Sequence, residues 1–384
     1  MKDIFSFRIY SSTNDLPLEW DNLTSKNIFL TKEYLSILEK AAPTNMVCHF
    51  IGIFKGEELV GTSLSQYINL SKVNSLGDRD QCFKTLIKNF LFKKLISNVL
   101  IIGNNMLTGQ NCYCFSSAIS EKEGLIQLNN AVKELTIQFK KQNIKIHLTV
   151  FKDFLVTDCN TFKIPEFKRY YHFNTQPNMI FNIKESWHSI DDYISNLNKK
   201  YRDQYKRARK KSESIEKRKL SLTEISEYHS EINELYLNVA KNAPFNTFYL
   251  CEKHFEVFKQ KLHDNFLFYG YFFDGKLIGF NTLIKNGEDI DTYFLGYDDK
   301  HQRDKMLYLN MLYDMISFSI KKKFKRIIFA RTALEIKSSV GAIPIEMNGL
   351  ICHENYFLNL LMAKSFTYFE PKTEWKQRNP FNNI

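Results

Sequence analysis

Three charged side chains follow the apolar strand RIIFA in the last quarter of the chain. Arg331 ends the strand, and Glu335 and Lys337 follow it in the stretch RTALEIKSSVGA. Ligands of α/β proteins often bind at the ends of strands, so these cations are placed to hold a phosphate of a donor or an acceptor. Glu335 could orient Lys337 or act as a base. The alternatives are a carboxylate and a surface lysine at the start of a helix.

A second group of reactive side chains lies in and just after the preceding apolar strand, DTYFLGY. Asp291 and Tyr293 alternate on one face of this strand, and Tyr308 begins the helix that follows. A carboxylate or a tyrosine can exchange a proton with a bound ligand. Asp291 and Tyr293 could therefore line a site and Tyr308 could donate a proton, with core packing as the alternative for Tyr308.

No established motif of another enzyme class accompanies these residues. The chain contains no G-x-S-x-G, no H-E-x-x-H, no G-x-x-x-x-G-K-[ST] and no G-x-G-x-x-G. Its nine histidines are dispersed, and of its seven cysteines only Cys112 and Cys114 form a C-x-C pair. The sequence therefore predicts reduced thiols and no metal site.

The elements that must position these side chains occur twice. His49–Leu70 and Phe266–Gly287 each contain an apolar strand, a turn with glycine and a second strand that begins Leu-Val-Gly or Leu-Ile-Gly, as is typical of a hairpin. In both halves a strand with a glycine near its end follows, namely Asn98–Asn104 and Asp291–Tyr297. An amphipathic helix and another strand come next in each half. The sequence therefore predicts a duplicated α/β unit.

Length and composition also favour two domains. The chain has 384 residues, of which 44% are hydrophobic and 25% charged, which excludes a disordered protein. A stretch with two prolines breaks both periodicities, so the boundary is predicted at about 158–176, with a first unit over 1–160 and a second over 175–384. Ser71–Ser97 is an insertion in the first copy. The first residues show no secretory signal and no apolar run is long enough for a membrane span, so a cytoplasmic protein is expected.

Most of the net positive charge lies in one segment. The net charge is +11, and Lys199–Lys219 contains eleven basic and three acidic residues, which gives +8. Tyrosines and other apolar residues recur at steps of three and four, so a basic amphipathic helix is predicted over 190–218. Its basic side either is solvated or binds an anion. No DNA-binding pattern accompanies it, so no DNA specificity is expected.

The second half of the chain resembles the GNAT N-acyltransferase superfamily, and within it the Fem-like branch of peptidoglycan aminoacyltransferase type. Three stretches carry the resemblance, namely Leu307–Tyr308 after the glycine-bearing strand, RTALEIKSSVGA, and the basic helix that starts Lys-Lys-Tyr-Arg. Fem-like proteins contain two GNAT units in one chain. The resemblance implies an α/β (α+β) fold of tandem GNAT-like units, each a mixed central sheet flanked by helices.

The resemblance implies an N-acyltransferase in which an amine attacks an activated acyl group directly. In the GNAT fold two central strands splay apart around the donor, here DTYFLGY and RIIFART, and backbone N–H groups stabilise the acyl oxygen. The acceptor would be an amine of a small molecule or a cell-wall precursor. The candidate catalytic residues are Glu335, Tyr308 and Asp291, and the candidate substrate-binding residues are Arg331, Lys337, Tyr293, Gly296 and Gly103.

The sequence departs from the family pattern where acetyl-CoA-binding members carry Gln/Arg-x-x-Gly-x-Gly/Ala. That pattern lets backbone amides hold the pyrophosphate at a helix N-terminus. Gln302 and Arg303 are present in HQRDKMLY, but larger residues fill both glycine positions, and GNNMLTGQN in the first copy also lacks the pattern. The donor is therefore either acyl-CoA or aminoacyl-tRNA, and a tRNA would give the basic helix a partner. The alternative is a non-catalytic GNAT-derived module that binds an anionic partner, either phosphate-bearing or a nucleic acid.

Overall fold

The computed structural model describes residues 4–73, 94–243, 246–369 and 375–381, with the backbone alone over 363–369. The predicted insertion Ser71–Ser97 lies for the most part outside the described residues. The chain divides into two compact units. The first comprises Met1–Thr175, Pro244–Cys251 and Glu346–Lys372, and the second comprises Gln176–Ala243, Glu252–Ile345 and Thr373–Ile384. The predicted second unit, 175–384, includes Glu346–Lys372, which the structure places in the first unit.

The first unit is built on a mixed sheet. Its strands and helices are β1 (Phe5–Tyr10), α1 (Trp20–Thr24), α2 (Lys32–Ala41), β2 (Met46–Lys55), β3 (Glu58–Asn69), β4 (Asn98–Ile102), β5 (Tyr113–Phe115), α3 (Glu121–Lys141), β6 (Leu148–Leu155), β7 (Tyr171–Asn174), β15 (Met347–His353) and α12 (Tyr356–Phe369). Within the described residues the order is β1-β2-β3-β4-β6-β15-β7, and β5 pairs with β3. β4 and β6 are parallel. β15 joins this unit because it pairs with β6 and β7.

The helix α3 connects the two parallel strands of the first unit. Ser120 caps its N-terminus by accepting a hydrogen bond from the N–H of Glu123, and lysines occupy its last turn, which suits the helix dipole. Leu125, Leu128 and Leu135 are fully buried on one face. That face packs in the core formed with the sheet and fixes the crossover from β4 to β6.

The second unit repeats this plan. Its strands and helices are β8 (Asn178–Asn182), α4 (Ile190–Asn196), α5 (Lys199–Lys211), β9 (Glu216–Lys219), α6 (Leu222–Glu227), α7 (His229–Lys241), α8 (His254–Leu262), β10 (Phe266–Phe273), β11 (Lys276–Asn286), β12 (Asp289–Tyr297), α9 (Asp299–Lys305), α10 (Leu307–Lys321), β13 (Arg326–Ala330), α11 (Leu334–Ser339) and β14 (Ile343–Ile345). The described strands run β14-β8-β13-β12-β11-β10-β9. β12 and β13 are parallel.

The predicted duplication of an α/β unit is confirmed. Each unit has a long antiparallel hairpin, a third strand, a crossover helix and a parallel strand. The predicted apolar face of α10 is buried, with Leu309, Leu312, Ile316 and Ile320 in the core of the second unit. Each crossover helix buries its apolar face in the core of its unit. The strands before and after the helix therefore lie side by side.

The single helix predicted over 190–218 is two helices and a strand in the structure. α4 ends at Asn196, Leu197 is extended, and α5 begins at Lys199. The C-terminal segment causes the break, because the N–H of Asn198 donates to the carbonyl of Pro380 at 2.8 Å and Leu197 forms a β-bridge with Phe381. The charges at 216–219 lie on the edge strand β9.

Gly296 lies where α7 crosses β12 at close range. A Cβ atom at this position would lie 2.5 Å from the carbonyl carbon of Leu235 and 2.6 Å from the backbone nitrogen of Tyr236. Neither backbone atom can move without shifting α7. The glycine therefore serves helix–strand packing at this position.

We expect Gly296→Ala to lower the free energy of unfolding by about 2 kcal/mol, because the added methyl group overpacks the contact with the backbone of α7. Gly52→Ala is the matched control, since its Cβ would meet only side-chain atoms, at 3.1 Å or more. Urea unfolding of both variants measures the difference. Equal losses would contradict this account of Gly296.

Candidate active site

The two parallel strands of the second unit part from each other. β12 and β13 are paired from Asp289 with Arg326 to Asp291 with Ile328, and the described residues form no further pair between them. β13 continues along β8 instead, with Ala330 opposite Met179. The Oγ1 of Thr292 donates to the carbonyl of Ile328 at 3.0 Å and bridges the strands at the narrow end. The space beyond this point is the β12–β13 gap.

A β-bulge lies at the edge of the β12–β13 gap. Leu283 of β11 is opposite Thr292, but Asn281 is opposite Leu295. Tyr293 and Phe294 of β12 therefore face the single residue Thr282, whose Oγ1 donates to the carbonyl of Phe294 at 2.6 Å. Such a bulge disrupts the regular ladder and bends the strand locally. It therefore changes the direction of the backbone next to the gap.

Asp291 lies where the two strands begin to part. It is buried, and its Oδ2 has no hydrogen-bond partner among the described residues. The pKa of this carboxyl is raised to about 8, chiefly by burial and also by the charge of Asp289, although Asn286 and Arg326 act in the opposite direction. A carboxyl group with a pKa near neutrality can exchange a proton with a reacting amine.

Tyr308 lies in the first turn of α10, next to the open end of β12. Its ring centroid is 6.2 Å from that of Tyr297, the last residue of β12. Tyr308 is buried, and burial raises the pKa of its phenol. Its hydroxyl group therefore stays protonated at neutral pH and is a possible proton donor.

Lys337 directs its ammonium group to the end of β13. Its Nζ donates to the carbonyls of Phe329 at 2.6 Å, Ala330 at 3.3 Å and Arg331 at 2.6 Å. Burial lowers the pKa of Lys337 to about 7, whereas three carbonyl acceptors favour the protonated form. An ammonium group has three protons, so these bonds occupy its capacity to bind a phosphate.

Arg331 and Glu335 have different surroundings. The Nε of Arg331 donates to the carbonyl of Gln176 at 3.1 Å, and burial lowers the pKa of Arg331 to about 10. Glu335 accepts from the N–H of Lys376 at 3.1 Å and from Arg378 at 3.0 Å. These two bonds lower the pKa of Glu335. The structure thus directs Glu335 to the C-terminal segment, and its carboxylate does not orient the lysine at the end of β13.

Tyr293 belongs to the packing of α8 against the sheet. Its hydroxyl group lies 3.0 Å from the Nε2 of His254, and its ring stacks on Phe258 at 4.9 Å. His254 is fully buried. Sequence reasoning did not single out His254 or Thr292. The alternation of polar residues along DTYFLGY could have indicated Thr292, but a histidine among nine dispersed ones gave no signal.

In the first unit, a lysine side chain links the corresponding parallel strands, β4 and β6. β4 and β6 are paired up to Ile102 and Phe151. Beyond them, Lys152 donates to the carbonyls of Asn104 at 2.9 Å and Leu107 at 2.8 Å and pairs with the carboxylate of Asp153. Gly103 makes room, because a Cβ atom there would lie 3.2 Å from Cγ of Lys152, and its φ of +122° favours glycine.

A helix occupies the position of the expected phosphate loop. Asp299–Lys305 form α9, and Met306, with a φ of +51°, separates it from α10. The Nδ2 of Asn310 donates to the carbonyls of Lys305 at 3.2 Å and Met306 at 3.1 Å. The N–H groups from Gln302 onward serve the helix itself. A glycine-lined pyrophosphate cradle is therefore absent from this described segment.

The basic helix α5 has one packed and one exposed side. Tyr201 and Ala208 are buried, and Arg209 forms an ion pair with Asp314 of α10 at 2.8 Å. The basic face consists of exposed residues that form no ion pair within the described part of the chain: Lys199, Lys200, Lys206, Arg207, Lys210 and Lys211. This face is free to attract a polyanion.

Neither a cluster of metal ligands nor a membrane-spanning helix is found in the described residues. They contain no cluster of three or more histidine, cysteine, aspartate or glutamate side chains that could hold a metal ion. None of the helices in these residues is long and apolar enough to cross a bilayer.

Comparison with known proteins supports the fold. No family model and no curated protein sequence matches the chain. Among solved structures, the chain is similar to FemX, with 12% identity, a TM-score of 0.56, and coverage of 90% of this chain and 98% of that one. It is also similar to a tandem GNAT protein from the clavulanic acid biosynthesis pathway, solved without AcCoA, with 9% identity, a TM-score of 0.50 and coverage of 92% and 99%. A Bacteroides thetaiotaomicron protein of unknown function has 12% identity, a TM-score of 0.50 and coverage of 91% and 100%. The chain therefore has the Fem-like, double-GNAT fold.

Proposed function

We propose that the chain is an N-acyltransferase whose second unit holds the donor acyl group in the β12–β13 gap. The observation that supports this most is the parting of β12 and β13 after Asp291 and Ile328, beside the bulge at Tyr293 and Phe294. A gap between two parting strands can hold an acyl group, and backbone dipoles directed into it can stabilise the acyl oxygen as charge develops. The Fem-like fold agrees with this chemistry.

The proposed reaction is a direct attack of the acceptor amine on the acyl carbon. The new C–N bond forms as the amine nitrogen loses one proton, and the bond from the acyl carbon to the leaving oxygen or sulfur breaks. We assign Asp291, in its ionised form, as the group that takes the amine proton. Tyr308 gives a proton to the leaving group and can regain one from solvent. Binding both substrates in one site supplies the rest of the rate increase.

The remaining candidates take supporting roles in this proposal. Arg331 carries its charge at neutral pH and directly follows β13, so it is assigned to an anionic part of the donor or acceptor. Glu335 is left out of the proton transfer, because it is exposed and bound to Lys376 and Arg378. Tyr293 helps to hold β12 in place, because its ring stacks on Phe258 of α8.

The acyl donor is proposed to be an aminoacyl-tRNA, with acyl-CoA as the alternative. The helix α9 in place of a phosphate loop argues against a CoA pyrophosphate held by backbone amides. The basic face of α5 suits a polyanion, because neutralised phosphates release counterions. The proposed acceptor is an amine of a small molecule or a cell-wall precursor.

Ligand binding and transfer test the donor directly. Acetyl-CoA at about 100 times its dissociation constant should stabilise the protein by roughly 2.7 kcal/mol in thermal unfolding. We expect no such shift, and instead expect binding of aminoacyl-tRNA that weakens steeply with salt, together with transfer of labelled amino acid to an amine. Lys206→Glu with Arg207→Glu should weaken tRNA binding. A saturable acetyl-CoA shift would replace this donor with acyl-CoA.

The basic face also supports a second function, a non-catalytic module that binds an anionic partner. Salt-dependent binding with no transfer from any of several acyl-CoA and aminoacyl-tRNA donors would favour this function over an enzyme. Transfer by the intact chain would exclude it.

A further inference from the structure

Lys337 is a buried cation that forms no ion pair with an acidic side chain of the described residues. Only 4% of the residue is exposed, and burial alone shifts its pKa. Taking a charge out of water is costly unless polar groups compensate it. Three backbone carbonyls at the end of β13 provide that compensation. A charge held at this cost indicates a function that an apolar side chain of the same size would not fulfil.

The backbone that surrounds this ammonium group has an unusual conformation. Ala330, Thr332 and Ala333 have φ angles of +59°, +68° and +47°, and none of them is glycine. Left-handed backbone at such residues is strained and persists only where other contacts hold it. The turn directs the carbonyls of three successive residues to one point. The ammonium group of Lys337 and the strained turn therefore depend on each other.

This turn coincides with the departure of β13 from β12. Pairing between these strands stops at Ile328, and the three carbonyls bound by Lys337 belong to the next three residues, Phe329, Ala330 and Arg331. The carbonyl of Ile328 is the last on β13 that accepts from β12, through Oγ1 of Thr292. The next three carbonyls are held by the side chain of Lys337.

We propose that Lys337 is a positioning residue that holds the carbonyl end of β13 turned away from β12 and so keeps the β12–β13 gap open. Its contribution to donor binding rests on the proposed function, but its effect on the strands does not. The side chain acts through the backbone, and it also sets where Arg331 leaves the strand. It makes no contact with the reacting atoms.

Removal of the ammonium group should let the strands close. In Lys337→Met, the freed carbonyls of Phe329 and Ala330 lose their donors in a buried place, where unpaired carbonyls are costly. The part of β12 beyond Asp291 lies on the other side of the gap. New pairing across the gap would protect amides in both strands, whereas simple loosening of the region would expose them.

Native-state hydrogen exchange distinguishes closure from loosening. We expect Lys337→Met to raise protection about tenfold at the amides of 293–295 and 329–331, even if global stability falls. Ser339→Ala is the control, because it removes a buried hydroxyl group from the same short helix, bonded to the carbonyl of Ile336 at 2.7 Å. It should change these amides only as far as it changes global stability.

Donor affinity gives the second readout. Whichever of acetyl-CoA and aminoacyl-tRNA binds the unaltered chain should bind Lys337→Met at least about tenfold more weakly, with Ser339→Ala unchanged. If neither binds the unaltered chain, the proposed donors are wrong, and the exchange pattern still decides the role of Lys337. Unchanged or reduced protection at the six amides in Lys337→Met would overturn the proposal.

Discussion

Asp291→Asn is expected to slow acyl transfer by about 100-fold while leaving the fold intact. Loss of a general base costs roughly 10² to 10⁴ in rate, and asparagine has the shape of aspartate but cannot take up the amine proton. The wild-type rate should rise with pH up to about 8, because the ionised form of Asp291 accepts the proton and its pKa is about 8. Transfer rates from pH 6 to 9 measure both effects.

Asp289→Asn is the matched control for this experiment. Asp289 precedes Asp291 by two residues on the same strand, but its carboxylate is held by Arg326 through bonds of 2.8 and 2.6 Å. A partly exposed ion pair contributes about 0 to 1 kcal/mol, so this variant should keep its stability. Because the charge of Asp289 raises the pKa of Asp291, the pH profile of the variant should move to lower pH, with most of the activity kept at pH 8 to 9. If Asp291→Asn and Asp289→Asn transferred equally fast, Asp291 would not be the base.

The same substitution of Asp291 should stabilise the protein at alkaline pH. Because the pKa of Asp291 is raised from its ordinary value of 3.8 to about 8 in the folded state, the folded state holds a proton that the unfolded state releases. Stability is therefore full below pH 4 and is lost as the pH rises to 8. The substituted asparagine does not titrate, so the variant should gain about 2 to 5 kcal/mol relative to wild type between pH 4 and pH 8.

Urea unfolding at both pH values measures this gain. If Asp291→Asn transfers more slowly but is more stable than wild type, the carboxyl group of Asp291 is retained for function at a cost in stability. A constant difference between variant and wild type across this range would contradict the raised pKa.

The duplicated fold could be predicted because its signals are local. Apolar alternation over 266–287, and leucine and isoleucine at helical steps from Leu309 to Ile320, determine the element types by themselves. The membership of β15 could not be predicted, because a strand at 347–353 has no local mark that it pairs with β6, nearly 200 residues earlier. Such pairings depend on tertiary contacts, which a single sequence does not display.

The residue types of the candidate site could be predicted from the sequence, but the contacts that these residues make could not. The cations after β13 suggested phosphate binding, yet Lys337 binds carbonyls from its own strand, because Ala330, Thr332 and Ala333 adopt left-handed conformations that their residue types disfavour. The break after Asn196 likewise depends on Pro380 and Phe381, at the far end of the sequence. Helix and strand propensities predict regular backbone for these segments. The left-handed turn and the helix break arise where contacts with other parts of the chain override those propensities.

Lys152→Met is expected to lower the free energy of unfolding by about 3 to 5 kcal/mol, because it leaves the fully buried carboxylate of Asp153 without its cation. The double variant Lys152→Met with Asp153→Asn should recover most of that loss, since no buried charge remains. Asparagine also tolerates the φ of +67° at position 153. Urea unfolding of the two single variants and the double variant gives the coupling between the two residues.

The same variants test which unit carries the reaction. In the first unit a lysine from β6 binds carbonyls that follow β4 and so ties the two strands together. In the second unit Lys337 binds carbonyls of β13 itself and leaves the strands apart. Transfer per folded molecule should therefore be the same in the double variant as in wild type, measured at a temperature where both are native. A folded double variant that no longer transfers would place the reaction in the first unit, where the lysine pair would then be part of the site.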